Sequence, residues 1–138
     1  MFNIIMILQP SILTKNWVKP KYDKYGMTQW SWRVIDVDKF TLGERVEIGS
    51  FTVIDAKVGV VIEDDVKVGW GCSILSYSSI DGKKGKVVLK KGCKVGANSV
   101  VLPGVTIGKN ATIGANSLVN RNVPQNEIWV GTPVRKLR

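Results

Sequence analysis

Aliphatic residues recur along most of this chain at every sixth position. A first block places Leu42, Ile48 and Ile54. A second places Ile62, Val68, Ile74 and Ile80, and a third runs Leu89, Val95, Val101, Ile107, Ile113 and Val119. Two small insertions offset the blocks. One step back from Leu42 stands Asp36, so the pattern is expected to begin at about Leu42. The fifth position of each unit is small or β-branched, as at Val46, Thr52, Val66, Cys72, Cys93 and Ser99; Lys84 breaks the series inside the second insertion.

A period of six does not suit an α-helix, whose apolar residues fall three or four apart. It suits short strands joined by tight turns, with two inward side chains per unit. The residue after the aliphatic one is often glycine (Gly43, Gly49, Gly69, Gly96, Gly108, Gly114), which eases backbone conformations at a turn. Three units make one triangular coil, and successive coils pair at about 4.8 Å. No coil buries its apolar residues alone, so stacking creates the core. The pattern therefore predicts an all-β parallel β-helix.

With three units to a coil, three ladders are expected. They are Leu42, Ile62, Ile80, Val101 and Val119; Ile48, Val68, Leu89 and Ile107; and Ile54, Ile74, Val95 and Ile113. Cys72 then stacks on Cys93, as two small buried thiols whose parallel directions are poor for a disulfide. The first insertion enters the first face and the second leaves it. Periodicity alone does not set the hand, and ordinary parallel crossovers are right-handed.

The 138 residues suggest one domain. It divides into an irregular N-terminal cap at 1–38, the β-helix at 39–123 and a C-terminal tail at 124–138. The cap holds Trp17, Trp30 and Trp32, and its Asn3-to-Leu8 run suits a strand or a short helix. A β-helix has open ends that need covering. The apolar start is too short to span a bilayer and lacks a cleavage signal, so a cytoplasmic protein without a membrane partner is expected.

The net charge of +9 attracts anions, which include phosphorylated small molecules. No nucleic-acid module is recognisable, and no nucleic-acid partner is expected. Two cysteines make neither a disulfide framework nor a zinc site. The chain contains no histidine.

The run Val95-Gly96-Ala97-Asn98-Ser99-Val100-Val101-Leu102-Pro103-Gly104-Val105-Thr106-Ile107-Gly108 resembles the hexapeptide-repeat acyltransferases. So does the ending Val123-Pro124 followed by Val130-Gly131-Thr132-Pro133-Val134-Arg135. The resemblance covers about residue 40 to the C-terminus. It implies a left-handed β-helix, a homotrimer with the active site between subunits, and acetyl transfer from acetyl-coenzyme A to a hydroxyl or amine of a small acceptor such as a sugar or nucleotide sugar. It also implies that Ala97, Ala115 and Asn120 lie along the pantetheine arm, with Arg121, Pro133 and Arg135 near its nucleotide end.

Many members of that family use a histidine as base. Here the matching stretch reads Ser73 to Asp81, and Ser79 falls about where the histidine would sit. Asp81 could act as base if burial or neighbours raised its proton affinity. Tyr77 or Ser79 could orient the acceptor while the substrate supplies its own base. The alternative is a non-catalytic trimeric scaffold that kept binding and lost chemistry. A histidine-ligated zinc hydrase on the same scaffold is excluded by the missing histidines, and no metal is expected. Lys83 and Lys84, in the basic loop Gly82-Lys83-Lys84-Gly85-Lys86, could meet a phosphate or remain solvated. Trp70, at an outward position, could stack on a sugar or bury at a subunit contact.

Overall fold

The computed structural model describes residues 16–138. Fifteen short strands, β1 to β15 in chain order, join one 3-10 turn at Val37–Lys39, with no α-helix among the described residues. The strands form three parallel sheets, the faces of a prism. Face 1 holds β1 (Arg33–Ile35), β4 (Val53–Asp55), β7 (Ser73–Leu75), β10 (Val100–Val101) and β13 (Leu118–Val119). Face 2 holds β2 (Phe40–Leu42), β5 (Val60–Ile62), β8 (Val87–Leu89) and β11 (Thr106–Ile107). Face 3 holds β3 (Glu47–Ile48), β6 (Lys67–Val68), β9 (Lys94–Val95), β12 (Thr112–Ile113) and β14 (Ile128–Val130). There β15 (Arg135–Lys136) closes the stack by pairing antiparallel with β14.

Inward side chains fill the prism as the period requires. Ile48, Ile54, Ile62, Ile74, Leu89, Ile107 and Ile113 are all fully buried. The expected ladders hold through two coils, with Leu42 beside Ile62, Ile48 beside Val68 and Ile54 beside Ile74. Beyond that each moves by one face. Ile80 takes no rung; it is 95% exposed. Leu89 pairs with Ile62 instead, Val95 with Val68 and Val101 with Ile74. Ile107, Ile113 and Val119 follow on Leu89, Val95 and Val101. Ile80 lies six residues after Ile74, so period alone cannot tell it from a rung. The unit that Ile80 would open has Lys84 where a small inward residue belongs, and that break marks the excursion.

Both insertions consequently lie at one corner, between faces 1 and 2. Paired residues on face 1 are 20 apart from Arg33 to Val53 and from Val53 to Ser73. They are 27 apart from Ser73 to Val100 and 18 from Val100 to Leu118. The third coil thus carries the long loop. The same two-residue extension explains why counting back six from Leu42 meets Asp36. The ladder in fact reaches back to Val34, paired with Ile54, and Asp36 sits at φ 61° on the extended corner.

The cysteines part company for the same reason. The Cys72 carbonyl accepts from Val53 on the corner between faces 3 and 1. The Cys93 carbonyl accepts from Lys67, between faces 2 and 3. Both thiols are free and buried.

The first coil is covered by residues 16–32. Trp32 is buried beneath the first turn, and Tyr22 meets it edge-on with ring centroids 6.0 Å apart. Trp30 is also buried, and Trp17 donates from Nε1 to the Val46 carbonyl at 2.8 Å. The Asn3-to-Leu8 run lies outside the described residues.

Candidate active site

The long corner is a local product of the sequence. After β7 the chain leaves the ladder at Ser76, whose amide is still bonded to the Asp55 carbonyl. It folds into a small hairpin in which Tyr77 pairs antiparallel with Lys84, and the Ser78 amide donates to the Lys83 carbonyl at 2.8 Å. This hairpin stands against the shorter corners of the two coils before it. Between them lies a cleft of about 460 Å³, its polar wall made by Asp36, Asp55, Lys57, Tyr77, Ser78 and Ser79.

The Asp55 carboxylate there is positioned by backbone. Asp55 ends β4, held in register between Ile35 and Leu75. One carboxylate oxygen, Oδ1, accepts from the Lys57 amide at 3.0 Å. The Lys57 ammonium sits 4.2 Å from the centre of the Tyr77 ring, a cation–π contact that fixes both side chains. Asp36 precedes the 3-10 turn and makes no side-chain cap bond to it. Ser79 is exposed at the rim.

Of the residues expected in chemistry, Tyr77 and Ser79 therefore share the cleft, and Asp81 does not line it. Asp81 is exposed, and its Oδ1 accepts from the Lys83 amide at 3.1 Å. That bond, with the Ser78 hydroxyl and the Lys83 ammonium, holds its carboxyl below the usual carboxylate range. A raised proton affinity, the condition for Asp81 to act as base, is not met; the group caps its loop. Asp36, Asp55 and Lys57 were not singled out by sequence. The available signal was their place at the ends of strands leading into the one corner that varies in length.

Lys83 and Lys84 are exposed on the same hairpin, Lys83 at 3.7 Å from Asp81. Trp70 stands on the opposite edge of face 1, 73% exposed beside Gly49, where a Cβ would strike the indole. Ala97 and Ala115 follow Trp70 along that edge. The turn is packed so closely that a Cβ on Gly96 would meet the Ala115 backbone. The corner thus presents bare backbone beside two methyl groups.

Arg121, Pro133 and Arg135 come together in a second cavity of about 610 Å³ at the C-terminal end, with Thr132 and Lys136. The turn carrying Pro133 is tied to the last full coil. Thr132 Oγ1 donates to the Asn116 carbonyl at 3.2 Å, and the Val134 amide donates to the Leu118 carbonyl. Asn120 follows β13 and is exposed. Neither guanidinium in this cavity is ion-paired among the described residues, so both are open to an anion.

Two family models match the repeats. One, the six-repeat bacterial transferase hexapeptide, covers residues 86–121; the other, the hexapeptide repeat of succinyl-transferase, covers residues 40–76. The chain belongs to the hexapeptide-repeat acyltransferase family. Among relatives of this hexapeptide-repeat protein, the galactoside O-acetyltransferase of Lactococcus lactis is 38% identical over 100 residues, or 72% of this chain and 42% of that protein. The bifunctional protein GlmU of Gloeothece citriformis is 33% identical over 103 residues, or 74% of this chain and 22% of that protein. The chain spans less than half the length of either. A solved hexapeptide-repeat acetyltransferase of Vibrio cholerae O1 biovar eltor, complexed with acetyl coenzyme A, superposes with a TM-score of 0.74 at 28% identity, covering 78% of this chain and 63% of that one.

Among the described residues of the hexapeptide-repeat chain, no three potential metal ligands gather, and no helix is long and apolar enough to cross a membrane.

Proposed function

We propose that this hexapeptide-repeat protein transfers an acetyl group from acetyl-coenzyme A to a small acceptor, a sugar or nucleotide sugar, working as a cytoplasmic homotrimer. The reading rests on one observation above all. The cationic C-terminal cavity and the cleft at the long corner flank one face, face 1, most of whose outward side chains are apolar.

Face 1 turns Ile35, Val53, Leu75, Val100 and Leu118 outward beside Arg33, Ser73 and Asp55, whereas β3, β6, β9 and β12 of face 3 turn out Glu47, Lys67, Lys94 and Thr112. Apolar side chains favour contact with another subunit, and charged ones favour water. Packing copies through the face 1 side would set the edge bearing Ala97 and Ala115 of one beside the cleft of the next. In this arrangement the pantetheine arm runs past Ala97, Ala115 and Asn120. Its phosphates meet Arg121 and Arg135 beside Pro133. Tyr77 and Ser79 orient the acceptor, Lys83 and Lys84 meet any phosphate it carries, and Trp70 buries at the subunit contact. The buried thiols suit a reducing compartment.

Calorimetry with acetyl-coenzyme A is the test. Micromolar binding is expected, weakened about tenfold or more by Arg121→Ala with Arg135→Ala, since charged hydrogen bonds to phosphate contribute roughly 1.5–3 kcal/mol each. Absence of binding at high micromolar concentration refutes the reading. A molecular mass that is not three chains in sedimentation equilibrium refutes the trimer.

A further inference from the structure

On the edge between faces 3 and 1, two rungs with small outward side chains end against a large one. Ala115 and Ala97 present methyl groups, and the next rung toward the N-terminus presents the exposed Trp70. These rungs are in register. The Asn116 amide donates to the Ala97 carbonyl at 2.8 Å, and the Asn98 amide donates to the Trp70 carbonyl at 2.9 Å. Thr132 Oγ1 continues the column at the other end by donating to the Asn116 carbonyl. The Trp70 indole leans over Gly49 of the preceding coil, where a Cβ would strike it. That coil also exposes Phe51, so bare backbone does not resume beyond the ring.

Two heights coincide at Trp70. Thr132 lines the cationic C-terminal cavity and stands three rungs from Trp70 along the column. At about 4.8 Å per rung, the separation is about 14 Å. The pantetheine arm runs about twelve bonds from its phosphate ester to its sulfur, roughly 14 Å when extended at about 3.5 Å for every three bonds. An arm anchored at the cavity and laid along Ala115 and Ala97 therefore brings its sulfur level with Trp70. The other height comes from β7. Trp70 leads into this strand and Tyr77 follows it, so both belong to one rung. Copies arranged in a ring about an axis along the prism keep each rung at one height. The sulfur beside Trp70 of one copy then lies level with the Tyr77 cleft of the next.

We propose that Trp70 sets the size of the transferred acyl group: the indole closes the groove so that acetyl fits between it and the sulfur and longer acyl groups do not. This deepens the acetyltransferase reading and rests on it. The acyl group continues the line of the arm past the sulfur, toward the first coils. Acetyl adds a single methyl group beyond its carbonyl. Each further methylene points at the indole. The ring is braced by the Gly49 backbone on one side and by the neighbouring copy at the subunit contact on the other. Overfilling such a pocket is costly, and one methylene there discriminates about 10- to 200-fold. Trp70 is thus a specificity-determining residue that takes no part in bond making.

The experiment is calorimetry on the full chain with coenzyme A and its acetyl, propionyl and butyryl thioesters, and it needs no acceptor. The wild-type chain is expected to bind acetyl-coenzyme A at least about tenfold more tightly than butyryl-coenzyme A. Trp70→Ala should reverse that order, because the vacated space buries the added methylenes at about fourfold in affinity each. Its affinity for free coenzyme A should stay within about threefold of wild type, since the nucleotide contacts are distant. Trp70→Phe keeps a ring at the subunit contact; it should admit propionyl-coenzyme A and still reject the butyryl thioester. Equal wild-type affinity for the acetyl and butyryl thioesters overturns the proposal. So does an unchanged preference in Trp70→Ala, or loss of free coenzyme A by both variants. A wild-type chain that binds none of the four compounds instead overturns the acetyltransferase reading itself.

Discussion

Ile74 pairs directly with Val101 on face 1, although the chain between them leaves the prism and returns. Ile74 is fully buried, while Ile80, six residues further on, is 95% exposed. The ladder is therefore set by which side chains fill the interior, and the excursion is left outside it.

Truncation separates these two isoleucines. Ile74→Ala opens a cavity in a stack with rigid neighbours above and below. It is expected to cost about 2–5 kcal/mol. Ile80→Ala removes no buried contact and should stay within about 0.5 kcal/mol. Denaturant unfolding of both variants checks the difference; equal losses would contradict the placement of Ile80.

The two thiols should be silent in the folded protein. Burial pushes the Cys93 thiol up to about 12, with Glu63 adding to the effect, and burial raises Cys72 as well. The thiolate is the reactive form. A disulfide reagent at pH 8 is expected to titrate neither group until denaturant is added, and then both. Rapid reaction of either one in the native state would contradict this packing.

Acid should loosen the C-terminal hairpin before the prism. Glu127 accepts from Trp129 Nε1 at 2.8 Å and pairs with Lys136 at 3.1 Å, and these contacts hold its carboxyl below the usual range. A carboxyl depressed in the folded state stabilises above its unfolded value. That contribution is lost as the pH falls through the folded value. Trp129 fluorescence is expected to titrate below the ordinary carboxylate range, and Glu127→Gln should remove the transition. A titration that persists in this variant would assign the change elsewhere.

Much of this architecture was legible because a strict period leaves little freedom. Six-residue spacing required a three-sided stack, and the inward positions of the first two coils were read correctly. Ile80 shows where the period ran out: a single aliphatic residue on a loop satisfies the same count, and only its failure to find space inside reveals it. The C-terminal cavity was readable in part, since the segment holding Pro133 and Arg135 is continuous and close to Arg121. The cleft was less so. Asp36, Asp55 and Tyr77 come from three different coils, and their meeting depends on the register that Ile80 obscured.

The pairing of β15 with β14 has a consequence for solubility. A prism of repeating coils offers, at its last rung, a template on which another chain could continue the same pattern. Here that rung meets a reversed strand made of Arg135 and Lys136, both exposed, while Gly131 and Val134 occupy the neighbouring bonds of β13. Like charges and reversed polarity discourage end-to-end joining. Growth into filaments is thereby resisted by the reversed strand β15, and unpairing it from β14 would expose a sticky edge.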